Sequence, residues 1–324
     1  MTTTLDNVNS LTSGGSVGQK LLDGGFNVNA LRTNDILRKD EWVSFDTKVI
    51  EVARKRLVAV GDLMSQGLSM ALPNALGVTQ IQWETITDLQ DAIISMSGIS
   101  QAGADRPEFA LNYLPVPITH KDFTISARAL EASRKFGTPL DTTQVELSTR
   151  IVSEKIESTL FLGSNVAQSA NKIYGYTTHP NRNTGSVTAS WLTATGTQIL
   201  TDVLAMMGAL AADNMYGPYM LYVPVATYTH MGDDLKANSD KSIIERIKAI
   251  PGIIDVKPSK DLTTTNVVMV QMTSDVVDII DGIQPTMVMW ESNGGLLFNF
   301  KVLGIIVPRI KVDATTQCGI AHYS

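Results

Sequence analysis

Pro115 and Pro117 stand two apart in an extended stretch that begins at Leu111, and neither has a backbone N–H to donate. Successive backbone groups of a strand point to opposite edges, so both missing donors fall on one edge, and that edge is closed to regular pairing. Such a strand belongs in a two-stranded ribbon or at the border of a sheet. A partner lies upstream in Val78–Thr87, whose alternation places Thr79, Ile81, Trp83 and Thr85 on one face. The stretch between them, Asp88 to Pro107, ends in the turn-rich Gln101-Ala102-Gly103-Ala104-Asp105-Arg106-Pro107 and is expected near the ribbon's tip.

The clearest helix follows this ribbon. Leu140-Asp141-Thr142-Thr143 supplies a cap region, Val145, Ser148, Val152, Ile156 and Leu160 line one face, and Gly163 ends the run. Val145, Val152, Ile156 and Leu160 are its predicted core residues. Glu146, Arg150 and Glu154, four apart on another face, read as a solvated, mutually paired set and not as a catalytic carboxylate group. A helix is also predicted from Asn34 or Asp35 to about Gly67, with Ile50, Ala53, Leu57, Val60 and Met64 as one apolar stripe and Trp42, Phe45, Val49 and Val52 beside it.

Beyond Gly163 helices and strands mix. Ile199, Val203, Met206 and Leu210 mark a helix, Tyr219–Val225 a strand, Ser242–Ile250 a helix and Gly252–Val256 a strand. Asn266–Met272, Thr286–Trp290 and Leu296–Val312 read as further strands, the last broken by Gly304 and Pro308. A mixed sheet with helices on its faces is expected. Since the ribbon and long helix cannot bury their own apolar sides, the chain should cross back to them.

Composition narrows the function. The 324 residues, 44% hydrophobic, are enough for one large or two modest cores. A net charge of −6 argues against binding nucleic acid by phosphate neutralisation, and Arg54-Lys55-Arg56 is the sole basic run, read as a solvated helix face. One cysteine, Cys318, excludes an internal disulfide or a cysteine-based zinc cluster and points to a reducing compartment. Residues 1–30 are rich in Thr, Asn, Gly and Ser, so they are expected to be a mobile arm, with no targeting segment and no membrane span.

The chain offers little chemistry. His120, His179, His230 and His322 are scattered without ligand spacing, and no nucleophile elbow, Walker or dinucleotide fingerprint occurs. Gly14-Gly15-Ser16-Val17-Gly18-Gln19-Lys20 lacks the phosphate-loop spacing, Met231-Gly232-Asp233-Asp234 reads as a cap or loop, and Cys318 as a packed thiol. No enzyme activity, cofactor or metal is expected.

Particular residues resemble a known family. Glu157-x-x-Leu160-Phe161-x-Gly163 followed by Ile173-Tyr174-Gly175 resembles the end of the spine helix and the entry to the A domain in encapsulins and related phage capsid proteins. Gly217-Pro218-Tyr219-Met220-Leu221 with Tyr228 is similar to a strand inside that A domain. Ile306-Val307-Pro308-Arg309-Ile310 with Cys318-Gly319-Ile320 resembles the tail of some phage major capsid proteins.

The resemblance implies an α+β chain with the HK97-like capsid fold. Its parts would be a flexible arm (1–33), an N-terminal helical segment (34–75), an extended E-loop (76–126), a P domain with a spine helix (127–170), a mixed α/β A domain (171–295), and a return to the P domain and C-terminus (296–324). It further implies a tailed-phage major capsid protein forming pentamers and hexamers of an icosahedral virion shell, assembled in the host cytoplasm around double-stranded DNA held without sequence-specific contacts. Portal, scaffolding or decoration proteins would be further partners. The side chains expected to touch neighbours are Trp83, Ile99, Arg106, Tyr113, Pro115 and Pro117. An encapsulin-type compartment is the alternative and a soluble α/β enzyme a remote one. Encapsulin shell proteins are typically shorter and lack so long a polar arm, which favours the virus, and Ser158 stands where encapsulins often carry an acid. Lys121 lies near the ribbon's base, but nothing in the sequence sets an asparagine and a glutamate against it, so no Lys–Asn crosslink is expected.

Overall fold

A computed structural model describes residues 39–86, 94, 96, 109–136, 142–168, 171–234, 241–263, 265–313 and 316–324. In chain order the elements are α1 (Lys39–Arg56), α2 (Ala59–Ser65), β1 (Ser69–Ala71), β2 (Gln80–Ile86), β3 (Phe109–Pro115), β4 (Thr119–Ser126), α3 (Ala127–Phe136), α4 (Thr143–Leu162), β5 (Ser164–Gln168), β6 (Asn171–Ile173) and β7 (Asn183–Gly185). There follow α5 (Gly196–Ala212), β8 (Tyr219–Pro224), α6 (Val225–His230), α7 (Ile243–Lys248), β9 (Ile253–Ser259), β10 (Val267–Gln271), β11 (Val277–Ser292), β12 (Leu297–Ile310) and β13 (Ile320–Tyr323). These group into two compact units. One takes the described residues up to Thr79 with Pro115–Ile173 and Asp278–Arg309; the other takes Gln80–Leu114, Tyr174–Val277 and Ile310–Ser324.

The first unit is a four-stranded sheet in the order β1-β11-β12-β4 beneath the long helix α4. β1 runs parallel to β11, with Met70 opposite Ile280, and β12 runs antiparallel to β4 from Leu297↔Ser126 to Gly304↔Thr119. Gly304 lets the helix come close, since a Cβ there would stand 3.2 Å from Ile156 Cδ1. Phe123 and Phe300, opposite each other, stack at 5.0 Å, and Phe45 of α1 meets Phe300 edge-on at 6.0 Å. β11 is longer than the Thr286–Trp290 predicted. Its start escaped notice because Asp278 interrupts the apolar pattern, yet that carboxylate is buried and paired with Arg309, whose Nε donates to Oδ1 at 2.8 Å and Nη2 to Oδ2.

The N-terminal helix predicted through to Gly67 is in fact two, broken at Leu57 and Val58; Asn34 lies outside the described residues. The break has a tertiary cause. Glu157, buried on α4, accepts from the Ala59 N–H at 2.6 Å and the Val60 N–H at 3.3 Å, satisfying two donors that a fresh helix start exposes. The break resets the phase of the apolar pattern. Trp42, Phe45, Val49 and Ala53 are buried in α1 and Ala59, Val60 and Leu63 in α2, whereas Ile50, placed by periodicity on the core stripe, is exposed.

The second unit is built on a five-stranded mixed sheet in the order β7-β13-β10-β8-β9. β8 is parallel to β9 and antiparallel to β10, β10 is antiparallel to β13, and β13 is parallel to β7. One face, with Leu221, Val223, Val267, Met269 and Ala321, packs against Ile199, Val203, Met206 and Leu210 of α5 and Ile243 and Ile247 of α7. Thr195 and Ser242 close capping boxes at the starts of those helices. Asp202 is buried in the middle of α5, where it accepts from Trp191 Nε1 at 2.8 Å and from Thr188, so the 188–191 loop is tied to the helix.

Candidate functional site

β2 and β3 form a sheet of their own, separate from both larger ones. The pairing follows from the prolines. β3 ends at Pro115, Val116 still donates its N–H to Thr79 O at 2.9 Å, and the N–H groups that Pro115 and Pro117 lack would have pointed to the opposite edge. Pro117 itself lies beyond the strand, which corrects the reading of one strand through both prolines: β3 ends at Pro115.

Asn112 Nδ2 donates to Thr85 Oγ1, so Asn112, Thr85 and the half-buried Trp83 share one side of the ribbon. The other side carries Phe109, Leu111 and Tyr113 at alternate positions, 61%, 46% and 41% exposed, beside the exposed Gln82 and Glu84. Ile94 and Met96, between the two strands, are fully exposed. An apolar row left exposed on a narrow ribbon marks a candidate contact surface. Of the residues expected to touch neighbours, Tyr113 lies in this row, Trp83 is on the opposite side, Pro115 is buried and Pro117 half-buried, and Ile99 and Arg106 fall outside the described residues. Phe109 and Leu111, not among the residues expected to touch neighbours, share the exposed row with Tyr113, and their alternation with it is plain in the sequence.

In the first unit, Val145, Val152, Ile156 and Leu160 of α4 are all buried, as are Thr149, Ser153 and Phe161, so the helix is covered on more than one stripe. Glu146 and Glu154 do not form the freely solvated face expected of them. α1 lies parallel beside α4, bringing Lys48 within 3.7 Å of Glu146 and Arg56 within 3.5 Å of Glu154, while Arg150 Nε lies 3.9 Å from Glu154. Pro117, Ile118, Ile173, Ile306 and Val307 line a cavity of about 220 Å³ with Lys155.

Among the described residues no three His, Cys, Asp or Glu side chains cluster as a metal would need, and no helix is long and apolar enough to cross a membrane. Cys318 is buried, and burial pushes its thiol up to about 11, so it is not a thiolate at neutral pH. His120 is exposed on β4 near Asp122, and His230 Nε2 lies 3.0 Å from Ala194 O.

Residues 29–322 match the family described as "Family of unknown function (DUF6260)". The chain belongs to that family. The type 1 encapsulin shell protein EncA of Myxococcus xanthus is 25% identical over 127 residues, which are 39% of this chain and 42% of that protein. The match thus spans less than half of the curated relative. Among solved structures, the virus-like particle from Pyrococcus furiosus superposes with a TM-score of 0.62 at 16% identity, covering 86% of this chain and 98% of the other. The capsid of Myoviridae phage XM1 superposes at 0.60 and 12% identity, covering 76% and 85%. This member of the family therefore has the HK97-like capsid fold, in an α+β chain.

Proposed function

We propose that the chain is a major capsid protein whose copies assemble as pentamers and hexamers into the closed icosahedral shell of a tailed bacteriophage. The observation that carries this reading is the HK97-like fold extending over most of the chain, shared with a phage capsid and a virus-like particle. In it the E-loop spans 76–126, α4 is the spine helix of the P domain and 171–295 the A domain, with the arm at 1–33, outside the described residues. The row Phe109, Leu111 and Tyr113 is the face that the E-loop offers to a neighbour. Repeated heterologous contacts close a curved shell, and each can be weak because many act together.

The shell would enclose double-stranded DNA as a wall does, without base contacts, which suits a subunit of net charge −6. Such a subunit carries out no reaction, and its location is the virion after assembly in the host cytoplasm, with portal, scaffolding or decoration proteins as partners. The likeness to EncA favours a second reading, the shell of an encapsulin-type compartment. Expression of the full chain followed by negative-stain microscopy tests both: closed particles are expected, and small oligomers alone would refute both. Particles purified from the native source after nuclease treatment then separate the two. Protected duplex DNA supports the phage capsid, whereas a packaged enzyme with no DNA supports the compartment.

A further inference from the structure

Two of the scattered histidines meet at one arginine in the second unit. Arg182, just before β7, donates from Nε to His322 Nδ1 on β13 at 3.1 Å and from Nη1 to the His179 carbonyl at 2.7 Å. β7 is three residues long and, among the described residues, pairs only with β13, His322 lying opposite Thr184, so the guanidinium joins the border strand, the C-terminal strand and the 174–182 segment. That segment lies on the sheet face away from α5. Tyr176, fully buried, stacks on Tyr222 at 6.2 Å, and Val268 stands between Tyr222 and His322 in the sheet.

The contact requires one proton state. His322 Nδ1 is an acceptor, so the ring's hydrogen is on Nε2, which is buried and meets no acceptor among the described residues. A second proton can go only to Nδ1, where it faces the Arg182 N–H and sets a positive charge against the guanidinium. The other polar groups around this point give little relief. Asp213, at the end of α5, accepts from Asn183 Nδ2 at 2.7 Å and the Cys318 N–H at 3.2 Å, and the Cys318 thiol is neutral. His179 receives the Asn181 N–H at Nδ1, 3.3 Å, and lies beside the same guanidinium; Tyr323 points to the α5 face, while β10 and β8 present Val268 and Tyr222. Burial, then Arg182, holds His322 below the ordinary histidine range.

We propose that the Arg182–His322 contact is an acid-released latch. With His322 neutral it fastens the 174–182 segment and β7 to the C-terminal strand; a second proton on His322 breaks the hydrogen bond and frees that border of the sheet while the central strands β8 and β10 stay paired. The latch follows from the second unit's own geometry and stands whether or not the chain forms a shell.

Hydrogen exchange read by mass spectrometry on the full chain tests it, with rates corrected for the intrinsic effect of pH. Between about pH 7.5 and pH 5, peptides spanning β7 and β13 are expected to lose protection by roughly tenfold or more while those of β8 keep theirs. His322→Gln, whose side-chain oxygen accepts from Arg182 without titrating, should keep the border protected in acid. Arg182→Gln, which removes the guanidinium that the second proton is set against, should leave the border less protected at pH 7.5 and blunt its further loss in acid, and it serves as the test if His322→Gln does not fold. Unchanged protection of wild-type β7 and β13 in acid would overturn the latch. So would an equal acid loss in His322→Gln, an undiminished acid loss in Arg182→Gln, or a loss abolished by His179→Gln and not by His322→Gln.

Discussion

At the residue scale, Glu157 shows how one side chain sets the course of a distant segment. The family-like motif Glu157-x-x-Leu160-Phe161-x-Gly163 places it on α4, and its carboxylate ends one helix and starts the next 98 positions upstream. Glu157→Ala leaves the Ala59 and Val60 N–H groups without that acceptor in a buried place, so a loss of about 1–3 kcal/mol in unfolding free energy is expected in denaturant titration, with Glu157→Gln intermediate. A loss within experimental error would show that α2 begins where it does for another reason. His179 gives a second expectation. Burial first, and Arg182 second, lower its pKa from the usual 6.5 to about 4. The unfolded chain therefore takes up this proton before the folded one does, so stability is full above the ordinary value and falls as pH drops from 6.5 towards about 4, then levels. Denaturation midpoints taken across that window should decline with acid, and less steeply in His179→Gln; a slope that ignores this substitution would contradict the assignment.

At the element scale, α4 is the test of the first unit. Val152 and Ile156 are buried in the first unit, so Val152→Asp puts a carboxylate out of reach of water and should abolish soluble protein, while the exposed Leu147→Asp should not. Equal soluble yields from both variants would refute the packing. α4 was legible in the sequence because both its faces carry helical spacing and Gly163, at φ 72°, supplies the stop. β8, β10 and α5 were legible for a like reason, being apolar runs bounded by turn residues. What escaped has a common physical source. The break after Arg56 depends on a carboxylate from another element, β11 hides behind an aspartate that only Arg309 makes acceptable, and His179 and His322 approach through sheet pairing across more than a hundred residues. Periodicity sees neighbours along the chain, and each of these features is set by a neighbour across it. The exposed row on β3 is different: its alternation is visible in the sequence, but exposure is a tertiary fact that periodicity does not report.

At the scale of the whole molecule, the proposed function asks that a folded subunit and an assembled shell be separable properties. Phe109, Leu111 and Tyr113 are about half exposed, so replacing all three by serine removes only part of what holds the ribbon, and the unfolding free energy should fall by no more than about 1.5 kcal/mol per site. Assembly should respond otherwise. A fully buried aromatic or leucine side chain contributes about 1.5–3 kcal/mol, and a shell repeats the same contact in every copy, so the deficit multiplies around each capsomer and closure fails together. The triple variant is therefore expected to elute as small species and to show no closed particles by electron microscopy, with the circular dichroism of the wild type. Replacing Gln82 and Glu84, on the same side of the ribbon, by alanine should leave closed particles. Normal shells from the serine variant would mean that copies of the chain grip one another elsewhere, and the ribbon would lose its role even if the capsid reading stood.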